Sequence, residues 1–256
     1  MSNLEVPYSA ASAPQSARLS QMQRIGNIFA APSKTFEDIR DHSASWWLPF
    51  LLFVIVGSGL WATVNAKVGW SQVVENSLRL APKQAEKLDQ LPPDARASQM
   101  KIAPLIQKIT WGLAPVWLLI LNLIGAAVLL GTINFGFGGK ASFSKVLAVS
   151  WYAGLPGLIK LLLGIAGLMA GMAPESFLPQ NPAGTNPGFY FTPPDVSMVV
   201  WSMLCGLDII AIWSMVLFSI GLAKVARVKT SAGFIAVFGW WVISQIIGIG
   251  MSAISG

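Results

Sequence analysis

IGNIFAAPSKTFEDIRDHSASWWLPFLLFVIVGSGLWATVNA, residues 25–66, decides the fold. Its first half is amphipathic, Trp46 and Trp47 mark its middle, and from Trp46 to Ala66 it carries no formal charge. A helix needs roughly 20 apolar residues to cross a bilayer, so this run reads as a membrane span. The paired indoles belong at headgroup level on one side, with Trp61 and Trp70 toward the other.

Composition carries that reading to the whole chain. Of 256 residues 54% are hydrophobic and 11% charged, against roughly 25% charged in soluble domains, so most of the surface faces lipid. The 17 Lys and Arg lie scattered among loops beside apolar runs. Without a clustered basic face, nucleic acid is not a partner, and the charges read as orientation signals. A single Cys205 rules out an intrachain disulfide and counts as a small hydrophobe.

Upstream of the first span, residues 1–20 are rich in Ser, Ala and Pro, lack a signal-peptide core and are expected to form a disordered cytoplasmic tail. Residues 21–45 read as an amphipathic interfacial segment. Ile25, Ile28 and Phe29 recur at helical spacing, Pro32 interrupts, and Ser33 caps a second short helix whose Phe36 and Ile39 share a face. The pair is expected at the membrane surface, with Phe29, Phe36 and Ile39 turned to lipid and Lys34 and Arg40 to water.

Downstream, the polar loop 67–108 holds two expected helices separated by Pro92 and Pro93. Further spans are expected at about 110–133, 156–173, 197–222 and 232–254, giving a membrane domain over 46–254. GLPG at 154–157 breaks the helix expected before the third span. Between the third and fourth spans lies PESFLPQNPAGTNPGFYFTPPDV, whose six prolines exclude a regular helix. The fold class is therefore all-α: an integral membrane bundle of five transmembrane helices with short amphipathic interfacial helices.

Short basic turns orient the bundle. Lys140 and Lys145 follow the second span, Lys224, Arg227 and Lys229 join the last two, and the Pro-rich loop has neither Lys nor Arg. By the positive-inside rule the basic turns are cytoplasmic, which places the N-terminus inside and the C-terminus outside. The long 67–108 loop, with six Lys and Arg between Arg79 and Lys108 tempered by four acids, then lies outside. The five basic residues, with Phe29, Phe36 and Ile39, form the candidate surface for lipid or a partner.

Ionisable groups inside apolar runs are the candidates for chemistry. Asp208 is expected near the middle of the fourth span, Lys160 about one turn into the third near the cytoplasmic face, and Asn122 within the second. Two roles suit Asp208. It is satisfied by Lys160, Asn122 or Gln245 and fixes helix register, or it relays protons or ions in a small transporter or channel component, with Cys205 and Ser219 on a similar face. Whether Lys160 reaches it is open at this level. The sole histidine, His42, sits in a polar link with no partners for a metal cluster or hydrolytic triad. No phosphate-binding loop is present, no cofactor is expected, and an intramembrane enzyme lacks paired catalytic groups.

The order of parts, namely IFAAPSKTFEDIR before a Trp-marked span, a glutamine- and charge-rich first loop and WYAGLPGLIK at residues 151–160, resembles the Yip domain family over residues 24–254. These are the Rab-interacting membrane proteins of eukaryotic secretion, and the likeness is nearer to their bacterial relatives. It implies five spans, no enzymatic activity and a role in membrane organisation, trafficking or partner recruitment. It further implies a bacterial cytoplasmic (inner) membrane, with the bilayer, other membrane proteins or a second copy as partners. WYAG stands where eukaryotic members carry a Tyr-Gly-Tyr turn, and their DLYGP-type motif has no counterpart, so binding of a Rab-type GTPase does not carry over.

Overall fold

A computed structural model describes residues 18–191 and 196–255, so most of the expected tail, 1–17, lies outside the described residues. The regular structure among the described residues is helical, with α-helices in the order α1 (Gln21–Ala30), α2 (Pro32–Asp41), α3 (Trp47–Lys67), α4 (Trp70–Arg79), α5 (Pro82–Asp89), α6 (Pro93–Gly112), α7 (Ala114–Gly131), α8 (Phe143–Ala153), α9 (Gly157–Met169), α10 (Met198–Gly206), α11 (Ile209–Ala226) and α12 (Thr230–Ser255). Five segments are long and apolar enough to cross a membrane: α3, α7 with its continuation to Gly136, α8 with α9, α11, and α12.

Local chemistry sets the breaks. Ser20 and Gln23 form a reciprocal capping box at the start of α1, and Pro32 opens α2, where its missing amide costs nothing. The first loop forms three helices instead of two, because Pro82 starts a new one after Ala81. Its last helix, α6, runs to Gly112 and is separated by Leu113 alone from α7, whose first turn holds Pro115.

Two expected spans differ in the structure. The third crossing begins at Phe143 and not at Pro156. Around Pro156 the amides of Leu155, Gly157, Leu158 and Ile159 each bond a carbonyl three residues back, so the chain tightens into a turn and continues as α9. The fourth is not one helix. It stops at Gly206, bends at Leu207 and restarts at Ile209, because the Asp208 carboxylate binds the first free amides of α11 and defines a new N-terminus there.

One end of the bundle is closed by α1 and α2, which pack as a hairpin on α8 and α11. Here the structure corrects the expected lipid-facing surface. Phe36 and Ile39 are 0% exposed, buried in protein with Ile28, Val149, Tyr152 and Leu222. The hairpin's apolar face has protein as its partner, namely Val149 and Tyr152 of α8 and Leu222 of α11. Gly221 makes the approach possible, since a Cβ there would stand 2.5 Å from Val149 and 2.8 Å from Phe36. Trp151, 1% exposed, anchors α3 to this core by stacking at 5.9 Å on Trp46 and meeting Phe50 edge-on at 5.1 Å.

A second core, of Leu60, Val64, Trp70, Val73, Leu168 and Phe177, lies at the opposite end. There the Asn76 amide of α4 donates to the carbonyls of Pro174 and Phe177 at 2.8 Å each, tying the first loop to the Pro-rich loop. Both loops therefore share one end, as five alternating crossings require.

Candidate functional site

The Pro-rich loop dips into the bundle. Pro182 packs on Gly164 of α9, whose Cβ, if present, would stand 3.0 Å from it, and Asn181, Ala183, Asn186 and Gly188 are buried. Irregular backbone is tolerated at membrane depth only where protein covers it and satisfies its polar groups. Those bonds are present: Ile209 N donates to Thr185 O at 3.1 Å, and Trp201 Nε1 to Gly188 O at 3.0 Å.

At the tip of this loop stands Asp208, 3% exposed. Its Oδ2 accepts from Lys160 Nζ at 2.6 Å, Thr185 Oγ1 at 2.6 Å and Asn186 Nδ2 at 3.2 Å. Its Oδ1 accepts from the amides of Ile210 at 2.9 Å and Ala211 at 3.1 Å. Asn186 and Asn181 exchange amide hydrogen bonds behind it, and Asn181 also reaches Cys205 Sγ at 3.5 Å. The positive end of α11 adds to the charge of Lys160 in stabilising the carboxylate.

Lys160 meets Asp208 because the third crossing starts earlier than the sequence indicates. Phe53 of α3 lies against Gly157 and Leu60 against Gly164, so Lys160 stands beside the middle of that 21-residue helix, not near the cytoplasmic face. Asn122 does not join them: it donates to Leu118 O at 3.2 Å within α7 and lines a separate cavity of about 230 Å³ with Ser150, Trp151 and Ser214. Ser219 is spent on Met215 O. The loop residues Thr185, Asn186 and Asn181 carry the site instead. Their signal was compositional: three amide or hydroxyl side chains within six residues of a loop too proline-rich to be helical.

At the other end, Arg24 (1% exposed) pairs with Asp38 (5%) between α1 and α2. Asp38 also accepts from Leu19 N at 3.0 Å and has His42 Nδ1 3.1 Å away. Arg24 lies over the Tyr152 ring at 5.9 Å, and Tyr152 Oη donates to Gln21 at 2.9 Å. His42, exposed in its polar link, stands at the rim of this cluster.

The basic candidates divide. Lys145 donates to Arg40 O at 2.6 Å and Lys224 pairs with Glu37, both fastening α2. Lys140, Arg227 and Lys229 are exposed around it, Arg227 in the left-handed conformation (φ 58°) that ends α11. Phe29 is 44% exposed and edge-on to Trp213 at 5.7 Å. Among the described residues no three His, Cys, Asp or Glu side chains gather as a metal ion would require.

Against known proteins, a family model described as the Yip1 domain matches residues 26–251. No curated protein and no solved structure matches the chain.

Proposed function

The chain belongs to the Yip1 domain family, and from that premise we propose that it is a non-enzymatic module that organises the membrane or recruits partners at its cytoplasmic end. The observation that carries this reading is the α1–α2 hairpin, fixed to the bundle by buried Phe36 and Ile39 and by the Arg24–Asp38 pair. A segment fixed in this way is a preorganised platform. Lys140, Arg227 and Lys229 are exposed around it, each able to attract anionic headgroups by about 1 kcal/mol near the surface.

The likeness to the family's bacterial relatives assigns a bacterial cytoplasmic membrane, and the placement of the basic turns puts this platform inside and the Pro-rich loop outside. Partners are the bilayer itself and other membrane proteins or a second copy. A Rab-type GTPase is not assigned, because the DLYGP-type motif is missing.

The saturation of Asp208 speaks against ion or proton movement through it. A carboxylate offers about four lone-pair sites, and five donors already occupy this one. It is a latch holding the Pro-rich loop to α9 and α11.

Crosslinking in native membranes, followed by purification and mass spectrometry, tests the proposal. The triple variant Lys140→Gln, Arg227→Gln, Lys229→Gln is expected to fold and to lose the protein or anionic-lipid adducts that the wild type gives. The same adducts in both would overturn the assignment of this surface.

A further inference from the structure

Between α3 and the α6–α7 junction runs a groove of about 890 Å³, within the roughly 300–1,000 Å³ of small-molecule sites. Its walls are apolar. Trp61 and Phe53 of α3, Trp111 of α6 and Trp117 of α7 line it, and Gly57 lies along the α3 side. Trp117 is 53% exposed and Leu121, also lining the groove, 64%. Both lie on a continuous exposed apolar stripe along α6 and α7, which includes Ile106, Ile109, Leu113 and Ile124. The open side therefore faces the hydrocarbon, and water is not its natural filling.

Two observations decide the occupant. At one end of the groove Trp61 Nε1 donates to Lys108 O at 3.1 Å, and the Lys108 ammonium lies 5.6 Å from the Trp61 ring centroid. Lys108 precedes the second apolar span by less than two turns, which puts its charge at headgroup level, with exposed Lys101 two turns further out along α6. The walls, moreover, are large aromatic side chains. The small residues in the wall are already used within the chain, Gly112 by Trp61 at 3.5 Å and Gly157 by Phe53 at 3.6 Å, whereas Gly57 has nothing within 4 Å of the position its Cβ would take, so the groove stands open beside it.

We propose that this groove binds one acidic phospholipid of the surrounding bilayer, with an acyl chain along α3 between Phe53 and Val64 and the phosphate at Lys108. The eleven steps from Phe53 to Val64 give about 16 Å of helix at 1.5 Å per step, enough for most of an acyl chain. The cation brings the headgroup to the mouth and the aromatic walls hold the chain, so lipid is retained there longer than in the shell that merely wets the protein.

Electron spin resonance reads this directly, with the full chain reconstituted in phosphatidylcholine vesicles containing chain-labelled phosphatidylglycerol. The wild type is expected to show a motionally restricted component that labelled phosphatidylcholine does not match. Gly57→Leu grows a side chain into the groove and is expected to remove that component. Lys108→Gln is expected to keep a restricted component but to lower the preference for phosphatidylglycerol to the share that exposed Lys140, Arg227 and Lys229 supply. Should Gly57→Leu fail to fold, Lys108→Gln, at a partly exposed site, carries the test alone. Equal restriction of both lipids in the wild type, or an unchanged preference in Lys108→Gln, overturns the proposal. So does ready disulfide dimerisation of a Trp117→Cys variant in membranes, which would show a second copy covering the groove.

Discussion

Asp38 in the α1–α2 hairpin and Asp208 within the bundle are held by similar donors: a basic side chain, one or two backbone amides and further polar groups. What differs is the alternative open to each. When α1 and α2 open, Asp38 and Arg24 meet water and recover much of their hydration. When the Pro-rich loop withdraws, Asp208 and Lys160 face hydrocarbon, where an unpaired charge is far costlier. Similar geometry therefore serves two purposes. The first pair lets a hairpin be set on the bundle from solution. The second makes a proline-rich loop an obligatory part of a membrane protein's interior.

The largest expected effect follows from that contrast. Asp208→Ala strands Lys160 and frees α11's first amides, Thr185 and Asn186 together, at a cost of about 3–5 kcal/mol. Its signature is loss of accumulation in membranes, or a collapsed unfolding midpoint in detergent. Arg24→Met should cost less, because its stranded partner can hydrate; equal losses for the two variants would remove the distinction between the sites. Phe36→Ala removes a fully buried ring and should cost about 3–5 kcal/mol, read by thermal unfolding. A loss below about 1 kcal/mol would mean that the hairpin is only loosely seated.

Smaller effects sharpen the picture. Lys224→Gln breaks a partly exposed pair with Glu37 and should cost at most about 1 kcal/mol. The Arg40 guanidinium donates to Asp41 and holds its carboxyl below the usual range. Since the folded state depresses this pKa, the pair's contribution is present above about pH 4 and fades as pH falls through the folded value. For so exposed a pair Asp41→Asn should shift stability by less than about 0.5 kcal/mol, seen as near-coincident unfolding curves at neutral pH.

How much of this was legible depended on how far each residue stood out from its surroundings. The apolar runs from Trp46 and from Ala232 declare themselves, since length and absence of charge suffice. Asp208 and Lys160 are conspicuous for the same reason, as charges where composition allows none. Their depth was misread because Pro156 looks like a start, whereas the turn at Gly154–Pro156 keeps the third crossing continuous from Phe143. Asp38 gave no sign, being one more charge in a charged helix, and only the fold shows it facing Arg24. Phe36 and Ile39 announced an apolar face but not its partner. An amphipathic helix looks the same in sequence whether it lies on lipid or on protein.

That last ambiguity is the one on which the platform rests. Hydrogen–deuterium exchange of the protein in lipid nanodiscs resolves it, comparing the amides of residues 21–41 with those of α8 and α11. The account predicts that the hairpin exchanges slowly and loses protection together with the ends of α8 and α11 that it covers in Phe36→Ala. Fast exchange across residues 21–41, independent of Phe36, would contradict it and return the segment to a loose amphipathic anchor on the lipid surface.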